Sequence, residues 1–151
     1  MDFRSEAEID PFLNGFATGS FPRYAWTHAA HIAMATAKLY KDDNALDSIR
    51  EGILHYNETQ GTANTVTSGY HETLTIFWVN AVRDYLKREF PFPSVPQQHR
   101  PASRLEAVRG AIRIFGTQSG LPKRVYSFDV FQSQEARARW IPQDLVDEHA
   151  G

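Results

Sequence analysis

The sequence predicts an all-α fold, a single-domain irregular bundle of about five helices. Three observations carry that prediction. Apolar residues recur at three-to-four spacing through the long segments. Two S-x-x-E capping boxes, Ser5–Glu8 and Ser103–Glu106, mark helix starts. Turn-forming or proline-bearing stretches separate the periodic segments, with no internal repeat and no composition break across residues 1–151.

In chain order, the first capping box opens a short helix from about Glu6 that carries Ile9, Phe12, Leu13 and Phe16 on one face. It should end near Gly15 or Gly19, and Pro11 within its first turn or two makes it irregular. Phe21-Pro22-Arg23-Tyr24 is an extended approach to a second helix, from His28 to about Lys41, with Thr27 as its N-cap. His28, Ile32, Ala35 and Leu39 form its buried stripe, and its alanines suit close packing inside a bundle. Asp42-Asp43-Asn44 breaks that helix. In the third, Leu46, Ile49, Ile53 and Tyr56 repeat at i, i+3, i+7 and i+10, and Gly61 bounds it.

Residues 62–69 are polar and aperiodic, a loop that delivers Tyr70 and His71 into a fourth helix running to about Arg88. Its apolar residues, Leu74 to Leu86, cover more than half its circumference, which predicts a central position. Phe90 to Pro96 cannot remain helical through its prolines and reads as an extended connector whose aromatics pack on the bundle. The helix opened at Ser103 presents Leu105, Val108, Ala111, Ile112 and Phe115 and closes at Gly116. Val125–Phe131 is aromatic and irregular, a short helix or an extended lid. Gln134–Trp140 is a short helix halted before Pro142, and the tail after about Leu145 is expected to fray.

Composition narrows the function classes. With 151 residues, 42% apolar and 13% aromatic, the chain can bury a core without covalent staples. A net charge of −2 argues against nucleic acid as a partner. Cysteine is absent, which excludes disulfides, thiolate catalysis and iron–sulfur clusters. No apolar run reaches transmembrane length and no signal-peptide pattern opens the chain, so no membrane role and a cytoplasmic location are expected.

The chemistry-bearing stretches are Trp26-Thr27-His28-Ala29-Ala30-His31 and Tyr70-His71-Glu72-Thr73-Leu74-Thr75, each at a helix start. On a helix, residues three apart share a face with Cβ atoms about 5–6 Å apart. His28 and His31 can therefore reach one ion. His71 would supply a third nitrogen if the two helix starts lie together, leaving an open position as catalytic metals require. Nitrogen ligation suits zinc, iron, copper or nickel.

Glu72 points about 100° away from His71 around a helix, so it suits a general base on metal-bound water or a support for the ligands better than a shared ligand. Its alternative is an acidic residue favoured by the helix dipole. Trp26, Tyr70 and Trp78 are placed to wall a pocket beside the histidines. Arg104 and Arg124, with Tyr126 and Ser127, would bind an anionic substrate group if they converge on it, Tyr126 assisting catalysis; otherwise such cations form a solvated face. Histidines that only cap helices and donate single hydrogen bonds are the competing reading of the whole cluster.

These motifs resemble a family of small bacterial all-helical proteins of unknown function, which show F/W-T-H-x-x-H, Y-H-E-T-I/L-T and, later, Y-S followed by S-P-E-A-R-x-x-W. Here the last segment is Tyr126-Ser127 and Ser133 to Trp140, and the likeness spans Tyr24 to Leu145. Where that family often has charged residues after Tyr-Ser, this chain has Phe128-Asp129-Val130. The resemblance implies one functional unit made of the histidines and Tyr126-Ser127, and no particular activity.

The expectation is a small metal-dependent enzyme acting on a small-molecule substrate, with His28, His31 and His71 as ligands to one transition-metal ion. The alternatives are a non-catalytic metal- or metabolite-binding protein and a partner-binding module with structural histidines. A homodimer is compatible with any of these.

Overall fold

The computed structural model describes residues 1–92 and 103–146, and among them every regular element is helical. α1 (Ile9–Thr18), α2 (His28–Lys41), α3 (Leu46–Thr59), α4 (Glu72–Glu89) and α5 (Arg104–Phe115) form the body. Two short helices follow, α6 (Pro122–Val125) and α7 (Gln134–Ala138).

Local chemistry explains most boundaries. Ser5 opens only a 3₁₀ turn without capping through its side chain, and Glu8 accepts a hydrogen bond from the Arg4 N–H instead. Gly19 closes α1 in the left-handed region at φ 80°, where a side chain would be strained and would also collide with Thr59. Thr27 Oγ1 caps α2 by accepting the Ala30 N–H at 3.3 Å. Ser133 caps α7 in the same way through Ala136. α5 starts where its capping box predicts, although Ser103 makes no side-chain cap.

α2 is the centre of the bundle. Residues Ile32–Ala37 are all buried, with α5 packed along one side of the helix and α4 along another. Alanines 30, 33, 35 and 37 let both neighbours approach closely, and buried Thr36 returns its hydroxyl to the Ile32 carbonyl. α4, expected at the centre, buries Phe77, Val79, Val82, Tyr85 and Leu86 but leaves Leu74 and Trp78 half-buried. Phe90 packs on Tyr40 and Tyr85 as expected of the connector, whose later residues and the final tail lie outside the described chain.

A second apolar cluster sits beyond α4, built from Phe77, Val125, Tyr126, Val130 and Ala136. Thr73 ties it down: its hydroxyl donates to the Arg139 carbonyl at 2.7 Å and accepts the Ile141 N–H at 3.0 Å. The irregular segment 126–133 is held against the start of α4 through the Val130 carbonyl, which bonds the His71 ring. No helix among the described residues is long and apolar enough to cross a membrane.

Candidate functional site

The starts of α2 and α4 do come together, around a cavity of about 520 Å³, within the range of small-molecule sites. His28, His31, His71, Trp26, Tyr70 and Trp78 all line it. Ile32, Met34, Ile49, Ile53, Leu74 and Phe131 supply most of the remaining apolar wall. Leu74 and Trp78 are only half-buried because part of each side chain faces this cavity.

Trp26 forms one aromatic wall. It stacks on Phe16 at 4.8 Å between ring centroids and lies 3.8 Å from the His31 ring. Trp78 meets the His28 ring edge-on at 4.6 Å and is braced by Phe77 and Phe115.

Each histidine hydrogen-bonds a backbone carbonyl, and that identifies its tautomer, because a carbonyl only accepts. His28 donates from Nε2 at 3.0 Å to the Phe115 carbonyl at the end of α5, which also accepts the Gln118 N–H at 2.9 Å. His31 donates from Nδ1 to the Thr27 carbonyl at 2.7 Å. His71 donates from Nε2 to the Val130 carbonyl at 2.9 Å, while its Nδ1 accepts the Leu74 N–H at 3.1 Å and so caps α4.

Burial favours the neutral form of all three imidazoles. Burial pulls His31 down to about 4, against the opposing Thr27 hydrogen bond and with help from nearby His28. Burial also lowers His28 and His71, against their carbonyl bonds to Phe115 and Val130, and the charge of Arg137 lowers His71 further.

This arrangement overturns the three-histidine metal site. Among the described residues no group of three histidine or acidic side chains is placed to hold a metal ion. The physical reason is His71: one ring nitrogen caps its own helix and the other is spent on Val130, so no lone pair remains for an ion. The metal-dependent enzyme built on that site falls with it.

Glu72 does not line the cavity. Its Oε1 accepts from Arg50 Nε at 2.9 Å and from the Tyr70 hydroxyl at 2.6 Å. Burial works to raise its pKa, but these two hydrogen bonds hold it below the usual carboxylate range. Tyr70 is pushed up to about 12 by burial and by the same bond, so its hydroxyl stays protonated as the donor to Glu72.

The expected catalytic Tyr126 sits in the second apolar cluster with its hydroxyl on the Ile141 carbonyl at 2.6 Å. Ser127 is bound to Asp144 through both its backbone N–H and its hydroxyl. Arg104 is buried against α1, paired with Glu6 at 2.8 Å and Asp10 at 2.9 Å. Arg124 is exposed and contacts Gln118. None of these four lines the cavity. Arg23, from the approach to α2 and without a sequence motif to mark it, does line the cavity.

Two ring nitrogens stand out. Among the described residues no protein group bonds His28 Nδ1 or His31 Nε2, and both residues line the cavity. Each is a hydrogen-bond acceptor that no described protein group meets, on a residue lining a largely apolar cavity. The site can therefore accept hydrogen bonds from a bound molecule, and its neutral imidazoles are not set up to donate from those atoms.

No known protein family matches the chain, and no curated protein or solved structure is detectably similar to it.

Proposed function

We propose that this protein binds a small, largely apolar organic molecule that carries at least one hydrogen-bond donor. The observation that supports this reading most directly is the pairing, in one cavity of about 520 Å³, of tryptophan and aliphatic walls with two neutral imidazoles that each keep one ring nitrogen unbonded. The apolar walls supply affinity by removing ligand surface from water, about 25 cal/mol per Å² buried. The imidazole nitrogens supply orientation, because an O–H or N–H group directed at them replaces solvent while an ether oxygen does not.

The test is a fluorescence titration, since Trp26 and Trp78 line the cavity and Trp140 packs against the second cluster. The probes are p-cresol and its methyl ether, nearly equal in shape and differing in the donor. p-Cresol should perturb the emission and bind about threefold to tenfold tighter than the ether, the worth of one net hydrogen bond. Replacing both His28 and His31 by phenylalanine should remove that preference, and Leu74→Trp, which narrows the cavity, should weaken both probes. Equal binding of phenol and ether, or binding unaffected by Leu74→Trp, would refute the reading.

A further inference from the structure

The charge lining the cavity is one-sided. Among the described residues no aspartate, glutamate or lysine lines it, and Arg23 is the single charged residue that does. Arg23 lies in the 3₁₀ turn Arg23–Ala25 that leads directly into Trp26, and it is exposed, so it marks where the cavity meets solvent. Among the described residues its guanidinium makes no ion pair and no side-chain hydrogen bond, in contrast to Arg50, Arg83, Arg104 and Arg139, which all pair with acids. Its charge is felt at Tyr56, whose hydroxyl bonds the Phe21 carbonyl at 2.6 Å in the same turn region.

An ion buried among the apolar walls would have no countercharge and would lose its hydration. A carboxylate at the rim avoids that cost, because it stays partly hydrated and meets a guanidinium suited to two parallel hydrogen bonds. A cation at the same place would meet Arg23 with like charge. The polar ends of a ligand are thus assigned in opposite directions, a donor inward to His28 and His31 and an anion outward to Arg23.

We infer that the natural ligand is an organic acid with a donor group at its far end, such as a hydroxylated aryl carboxylate, and that Arg23 selects it by holding the carboxylate at the cavity rim. The inference rests on the binding reading above.

The experiment compares 3-(4-hydroxyphenyl)propionate, its methyl ester and tyramine at low and high salt, with wild type and Arg23→Gln. All three share the 4-hydroxyphenyl body. The acid should bind about fivefold to tenfold tighter than the ester, a discrimination that shrinks in 0.5 M salt as screening shortens the reach of the charge to about 4 Å. Tyramine should bind no tighter than the ester. Arg23→Gln should bring the acid to the level of the ester and leave the ester unchanged, and it is expected to fold because the side chain it replaces is exposed.

An ester that binds as well as the acid, an acid preference that survives Arg23→Gln, or tyramine as the tightest probe (the tryptophan faces then holding a cation) would overturn the inference while leaving a working cavity. Failure of all three probes to bind would refute both this inference and the binding reading beneath it.

Discussion

Replacing His71 by alanine removes two hydrogen bonds made by one ring, and the loss can be worked from its geometry. His71 is 8% exposed. Its Nδ1 is the N-cap acceptor of α4, and losing a cap costs about 1 kcal/mol. Its Nε2–H is the bond to the Val130 carbonyl, and leaving a buried acceptor unsatisfied costs about 1–3 kcal/mol. The sum is about 2–4 kcal/mol. With a urea m-value of about 2 kcal/mol/M, the midpoint should fall by about 1–2 M. His71→Asn offers a good N-cap with too short a reach for Val130, so it should recover about 1 kcal/mol of the loss. Urea unfolding followed by far-ultraviolet circular dichroism measures all three proteins. A loss under about 0.5 kcal/mol for His71→Ala would refute the assignment of both bonds. An asparagine variant no better than alanine would refute the capping role alone.

Two further predictions follow from the same coordinates. Burial lowers the pKa of His28 and His71 in the fold and that of His31 to about 4, whereas a histidine in the unfolded chain titrates at about 6.5. Below that value the unfolded chain takes up protons that the native protein refuses, so stability is complete above about pH 7 and falls as the pH drops toward 4. His31 alone contributes up to about 3 kcal/mol to that fall, Glu72 adds to it once its carboxyl protonates, and His31→Gln should flatten the profile by about one proton; a stability curve flat from pH 7.5 to 5 contradicts this. At the α4–α5 contact, a Cβ on Gly110 would press into the Tyr85 hydroxyl, which donates to the Ala107 carbonyl at 3.1 Å. Gly110→Ala should cost about 1–3 kcal/mol as overpacking, and adding Tyr85→Phe should return part of it; additive losses in thermal melts would show that the two side chains do not meet.

Much of the architecture was legible because it is local. Thr27 caps the helix that carries His28 and His31, the stripe Leu46, Ile49, Ile53 and Tyr56 forms α3, and His71 stands at the head of α4. Apolar periodicity and capping chemistry act over four residues or fewer, so they can be read directly from the chain. The grouping of His28, His31 and His71 with Trp26, Tyr70 and Trp78 around one cavity was legible for a related reason, since residues at helix starts are carried together when those starts converge.

What each group does there was decided by contacts across the fold. His71 is disqualified as a ligand by the carbonyl of Val130, 59 positions away, and Glu72 is engaged by Arg50, 22 positions earlier. Arg104 is drawn to Glu6 in the 3₁₀ turn before α1 and to Asp10 on α1 rather than to the cavity, and Tyr126 turns its hydroxyl to Ile141. Hydrogen bonds are short and directional, so whether an imidazole nitrogen is spent or free depends on which distant backbone group packing brings within 3 Å. Sequence alone singled out the histidines and the aromatic residues Trp26, Tyr70 and Trp78 that line the cavity; only tertiary packing brought Arg23 to it, drew Arg104, Tyr126 and Ser127 away, and decided which ring nitrogens remain available, because each depends on partners supplied from elsewhere in the fold.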